Sequence, residues 1–295
     1  MGSTRYDIDA RYDRASKAGY GTKSASEIFT QNTKRQAHPS MNPQGVSFRE
    51  SRDSEVHPNS VPIILGLDVT GSMGHIPHEL IKEGLPKLMG GIIQGGVPDP
   101  ALLFLGIGDH ECDSYPLQVG QFESGDEELD MWLTRTYIES GGGGNGGESY
   151  LLAWYFAAFH TRTDAFEKRK QKGLLFTVGD EPCLKVLPGS AIREIMGSGQ
   201  QTYTHDELLE EAKKRYEVYH ISVLHSDQAI RADRGWKELL GKNCISIEDH
   251  RDIPDVIKKI ICDQCKNKTF GTEGQEGLGS YSNALSEETY IFREA

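Results

Sequence analysis

The chain has 295 residues, 37% of them hydrophobic, with five Cys and a formal net charge of −12. That charge argues against a nucleic-acid backbone or an anionic membrane as the main partner, and no apolar run reaches the roughly 20 residues of a membrane span. The odd, scattered Cys and a start without an apolar leader point to a cytoplasmic protein with free thiols, one large or two small domains in size.

Residues 1–60 are polar and rich in Ser, Arg, Asn and Gln. They read as an extended arm with a short helix near residues 24–32. Tyr6, Tyr12, Tyr20, Phe29 and Phe48 supply apolar anchors by which part of the arm docks. The texture changes at Val61. Residues 61–67 form a continuous apolar run, the mark of a strand buried on both faces. Residues 76–93 carry apolar side chains at helical spacing, with Pro77 in a first turn and Pro86 placed to kink or split the helix. Residues 101–108 and 115–122 read as two strands of an antiparallel hairpin around the acidic loop from Asp109 to Asp113. A helix follows over 127–138. The glycine run 141–144, with Asn145, Gly146 and Gly147, opens onto an apolar helix over 148–160.

Residues 173–178 are another buried strand, ending at Gly179-Asp180. Thr204 and Glu207 have the spacing of a capping box for a helix to about residue 215. Strands over 217–224 and 244–247 alternate with helices over 231–240 and 253–262. Residues 266–295 are rich in Gly and Glu and read as a loose tail, in which 280–295 has the apolar residues to fold back. The organisation is therefore an arm (1–60), an α/β domain (61–265) and a tail (266–295). Alternating strands and helices predict a doubly wound, mostly parallel Rossmann-like sheet, with one antiparallel edge strand and helices on both faces. Ligands of such folds bind beyond the carboxyl ends of the strands. Asp68, Asp109 and Asp180 are placed at those ends.

The chemistry concentrates in Asp68-Val69-Thr70-Gly71-Ser72. A buried strand delivers one acid and two hydroxyls at alternate positions onto a tight loop, and these are hard oxygen ligands suited to Mg²⁺ or Mn²⁺. The plainer alternative is a turn that caps the next helix. This motif, the Gly-rich loop before an apolar helix and the Asp after a later strand together resemble the von Willebrand factor A (VWA) domain, over about residues 61–265. The resemblance implies sheet order 3-2-1-4-5-6, with the first and fourth strands side by side. It also implies a metal-ion-dependent adhesion site in which Asp68, Thr70, Ser72 and Asp180 hold the ion. An open coordination position would take an acidic side chain of a partner protein.

Two departures stand out. The second loop has no Thr and looks like the Gly-Gly-Gly-Asp-x-x-Glu loop of intracellular and hemicentin-like relatives. Asn145 stands at that Asp position, either as a fifth ligand or as a turn residue, and Glu148 matches the Glu, read here as stabilising the helix start. Val178-Gly179-Asp180-Glu181-Pro182 is similar to the family's Thr-Asp-Gly-x-Pro, with the Gly moved before the Asp. The resemblance to intracellular members implies an adaptor, with an AAA-type ATPase as one partner. The other class is a haloacid-dehalogenase-like phosphohydrolase, suggested by Gly108-Asp109-x-x-x-Asp113. Those enzymes need an acid two residues after the nucleophile, and that position is Thr70. Cys262-x-x-Cys265 lacks the second pair that zinc requires.

Overall fold

The computed structural model describes residues 4–71, 73–139 and 145–270, with side chains to Lys266. The chain opens with α1 (Ile8–Ala18), α2 (Ala25–Ile28), α3 (Thr30–Lys34) and β1 (Arg49–Ser51). Next come β2 (Val61–Asp68), α4 (Ile76–Glu79), a π-helical turn (Leu80–Gly84), α5 (Leu85–Gln94), β3 (Pro100–Ile107), β4 (Leu117–Val119) and α6 (Asp126–Thr134). Then follow α7 (Leu151–Phe159), β5 (Thr161–Thr163), α8 (Asp164–Glu167), β6 (Gly173–Gly179), β7 (Val186–Leu187), α9 (Gly189–Met196), β8 (Tyr203–Thr204) and α10 (His205–Lys213). The chain of elements ends with β9 (Tyr216–Val223), α11 (Asp227–Leu240), β10 (Cys244–Ile247) and α12 (Ile253–Phe270).

Six strands form the central sheet in the order β10-β9-β6-β2-β3-β4. Counted within that sheet, this is the expected 3-2-1-4-5-6. All neighbours run parallel except β4, which pairs antiparallel with β3 at the edge. Successive side chains of a strand point to opposite faces. Ile63, Leu65 and Leu67 accordingly join one core with Leu88, Leu133 and Ile257, from α5, α6 and α12. Ile64 joins the other core with Trp154, Leu208 and Trp236, from α7, α10 and α11. The architecture is a doubly wound, VWA-like Rossmann fold. Among the described residues no helix is long and apolar enough to cross a membrane.

The helix after β2 splits at Pro86, and the split has a chemical cause. Leu85 N–H bonds to Leu80 O in the wider π register. In that register the Ile81 carbonyl would face the nitrogen of Pro86, which carries no hydrogen. Arg11 Nη2 donates to that carbonyl instead.

Arg11 belongs to α1, so the segment before residue 60 is not simply an extended arm. Asp7 caps α1 at its start, accepting from Ala10 N, and Gly19 ends it at φ 73°. Arg11 is fully buried, and its Nε lies 2.6 Å from Asp130 Oδ1 as an ion pair off the line of a hydrogen bond. Arg14 Nη1 meets Asp126 at 2.7 Å. Of the predicted anchors, Phe29 is buried and Tyr6 and Tyr20 pack on the core, whereas Tyr12 and Phe48 are exposed. β1 pairs in parallel with β5, which ties the segment down further. The expected tail past residue 270, including the back-folding of 280–295, lies outside the described residues.

Candidate metal-ion site

β2 runs through the middle of the sheet and is paired on both sides. Leu67 lies opposite Gly106 of β3 and Val178 of β6, so Asp68 and Asp180 emerge at one edge. Asp68 is buried. Its Oδ1 accepts from Thr70 N at 2.9 Å and from Thr70 Oγ1 at 2.6 Å. Its Oδ2 accepts from Tyr150 Oη at 2.7 Å. Burial pushes the Asp68 carboxyl up to about 6, the hydroxyl and N–H donors pull it down, and Asp180 pushes it up again. Asp180 is also buried, with Oδ2 3.0 Å from His225 Nε2. The structure thus brings together Asp68, Thr70 and Asp180. Ser72 lies outside the described residues.

The glycines 141–144 of the second loop also lie outside the described residues. Asn145 is exposed, and its Nδ2 donates to Glu111 Oε2 at 2.8 Å. Among the described residues of this loop, Glu148 is an acid that turns inward. Its backbone pairs with the loop after β6: Glu148 N donates to Pro182 O at 2.9 Å, and Leu184 N to Glu148 O at 3.0 Å. Gly147 permits this approach, because a Cβ there would stand 2.8 Å from Pro182 O. Glu148 is 3% exposed, and its Oε2 is buried without a hydrogen-bond partner. Burial pushes its carboxyl up to about 9, reinforced by Asp68, Asp113, Asp109 and Glu181. A residue read as helix-start stabilisation therefore sits among the acids of the site.

Asp109 closes its own turn, with Oδ1 accepting from Glu111 N at 2.9 Å, while Asp113 Oδ2 accepts Asp109 N at 2.7 Å. That is the acidic turn expected after the second strand. The other oxygen, Asp109 Oδ2, is buried without a partner.

Among the described residues no three His, Cys, Asp or Glu side chains form a ready cage for a metal ion. An ion at this edge needs hydroxyl and water ligands beside the carboxylates. The donors fit such a cation: carboxylates at two adjacent strand ends, a first-loop hydroxyl, and the orphaned Glu148 Oε2 among them. Hard oxygen donors of this kind suit Mg²⁺ or Mn²⁺. Sequence reasoning missed Tyr150 and the inward turn of Glu148.

The sequence matches no protein-family model and no curated protein. Among solved structures the chain is similar to the pilus adhesin SpaC of Lactobacillus rhamnosus GG in its open conformation, at 12% identity and a TM-score of 0.46, over 74% of this chain and 31% of that one. It is similar to proximal thread matrix protein 1 of the mussel byssus, at 8% identity and a TM-score of 0.48, over 74% of this chain and 49% of that one. It is also similar to the vWF domain of the type V pili tip protein Mfa5 from Porphyromonas gingivalis, at 9% identity and a TM-score of 0.44, over 75% of this chain and 98% of that one. The chain spans about a third of the adhesin and about half of the mussel protein. Its own sheet order is the ground for the fold stated above.

Proposed function

We propose that this chain binds another protein through a divalent cation, Mg²⁺ or Mn²⁺, held at the carboxyl ends of β2 and β6. Asp68 and Asp180 supply the carboxylates, and Thr70 and Ser72 the first-loop hydroxyls. Asn145 keeps its two readings from the sequence, fifth ligand or turn residue, and Asn145→Ala separates them. The observation that carries the reading is the burial of Asp68 and Asp180 at adjacent strand ends, where Asp180 pushes the Asp68 carboxyl up and no Arg or Lys forms an ion pair with Asp68 among the described residues. A bound cation would neutralise this pair and offer an open position to a partner's carboxylate. Thr70 holds Asp68 in place through two hydrogen bonds, and His225 Nε2 stands 3.0 Å from Asp180 Oδ2.

The partner we propose is a protein presenting an acidic side chain. The resemblance to intracellular VWA proteins makes a cytoplasmic AAA-type ATPase the first one to try. The phosphohydrolase alternative needs turnover that depends on Asp68 and Asp109. The deciding experiment is calorimetric titration of Mn²⁺ into metal-free protein, wild type and Asp68→Ala, with a phosphate-ester assay alongside. A one-site isotherm lost in the variant, with no turnover, supports the reading. No heat in the wild type overturns it.

A further inference from the structure

An ionised carboxylate offers about four lone-pair sites, two on each oxygen. On Asp68 Oδ1 both are used by Thr70, through N–H and Oγ1–H. On Oδ2 one is used by Tyr150 Oη. The remaining acceptor direction is therefore on Oδ2, and the phenol decides where it points. Tyr150 is fully buried at the start of α7. Burial and the Asp68 charge hold its hydroxyl well above the ordinary phenol range.

The same side chain explains the displaced glycine before Asp180. A Cβ built on Gly179 would overlap the Tyr150 hydroxyl, so the phenol occupies space that any other residue at 179 would fill. The ring is held from the side by His220 and Trp236, each with its centroid 5.3 Å away and nearly perpendicular. His220 stacks on Trp236 at 3.6 Å, and its Nδ1 is 2.9 Å from Thr177 Oγ1. Trp236 Nε1 donates to Glu181 O at 2.9 Å. The aromatic group thus touches the chain on both sides of Asp180, at Gly179, the last residue of β6, and at Glu181 in the loop that follows.

We propose that Tyr150 is the positioning residue of the ion site: its hydroxyl orients Asp68, and its ring, wedged against Gly179 and Trp236, sets the place of Asp180. The inference rests on the cation-binding reading above and names what aligns the two carboxylates. Partners of this kind, behind the ligands themselves, typically govern metal affinity by a factor of roughly 10–100.

The test is Mn²⁺ calorimetry on wild type, Asp68→Ala, Tyr150→Phe, Gly179→Ala and the Tyr150→Phe/Gly179→Ala double variant, each with a thermal melt. Tyr150→Phe removes one oxygen and keeps the ring packing, so affinity should fall roughly 10–100-fold while the melt drops only by the few degrees that one lost buried hydrogen bond costs. Gly179→Ala should displace the phenol and lower affinity comparably. The double variant should lose more than Tyr150→Phe alone, because a Cβ at 179 would stand 2.5 Å from Cζ and 2.7 Å from Cε1 of the ring and still displace it after the hydroxyl is gone. If the wild type binds and Asp68→Ala does not, but Tyr150→Phe binds as wild type, Tyr150 is only core packing and this inference alone falls. If the wild type itself binds no Mn²⁺, the ion-site reading falls and takes this one with it. Should Tyr150→Phe not fold, Gly179→Ala decides by the same measure.

Discussion

The protein buries acids in two places and treats them differently. Under the N-terminal segment, Asp130 and Asp126 face Arg11 and Arg14 at 2.6–3.2 Å. At the carboxyl edge of the sheet, Asp68, Asp109 and Glu148 lie buried beside Asp180, and no Lys or Arg forms an ion pair with the first three among the described residues. Burial pushes both Asp130 and Asp68 up to about 6. What pulls them back differs: guanidinium charge on Asp130, hydroxyl and N–H donors on Asp68. Glu148, pushed up by acids alone after burial, goes to about 9. A buried acid with its own cation is a fastening. On the reading proposed above, the buried acids gathered without one are where a cation would arrive from outside.

The largest expected effect breaks the fastening. Arg11→Met leaves Asp130 buried with only the partly exposed Arg14, and it orphans the Ile81 carbonyl that Pro86 cannot serve. Removing one partner of a buried pair costs about 3–5 kcal/mol, readable as a lower midpoint in urea unfolding. A loss below about 1 kcal/mol, the range of exposed pairs, would erase the contrast between the two clusters.

The acid end predicts the next effect, in the pH dependence of metal-free protein. Glu148 has an ordinary value of 4.5 and rises to about 9 in the fold. The folded state therefore holds a proton that the unfolded state has released, and the stability this gives is full below about pH 4.5 and lost as pH rises through about 9. Asp68 and Asp130 act in the same direction up to about pH 6, while His220, held down to about 3 by burial, acts oppositely below its ordinary 6.5. Between about pH 7 and 9 Glu148 is the one of these four that titrates. The melting temperature in chelator should fall across that window, and added Mg²⁺ should raise it most at the alkaline end. A flat or rising profile would show that Glu148 is relieved by something within the chain.

Much of this was legible in the sequence, for a physical reason. Strands buried on both faces are continuous apolar runs, and each of the long ones ends where a polar loop begins, so β2, β3 and β6 could be read with their terminal acids. Thr204 and Glu207 form the capping box that their spacing announces. Asp68 and Thr70 meet because a two-residue separation on a turn leaves them little choice. The helix α1 was illegible because the residue it buries is Arg11, which carries no apolar signal, although Asp7 and Gly19 mark its ends. The second loop was illegible for a different reason. Spacing does not say which of Asn145 and Glu148 turns inward. That is decided by backbone pairing of Glu148 with the distant Pro182 and Leu184. Tyr150 left one trace, the glycine that replaces a larger residue before Asp180.

Two smaller effects sharpen the acid end. Thr70→Val keeps the backbone N–H on Asp68 Oδ1 and removes the Oγ1 donor at 2.6 Å. A hydrogen bond to a charged group contributes about 1.5–3 kcal/mol, so Mn²⁺ affinity should fall about tenfold or more. An unchanged isotherm would mean that Thr70 only closes a turn. Asn145→Ala should do least. The amide is exposed and engaged with Glu111, and surface changes of this kind stay within about 0.5 kcal/mol, about a factor of two in affinity. If calorimetry instead finds a tenfold loss, Asn145 swings from Glu111 to the ion, and the inward burial of Glu148 describes the metal-free state alone. If affinity holds, Asn145 is the turn residue of the loop and not a ligand.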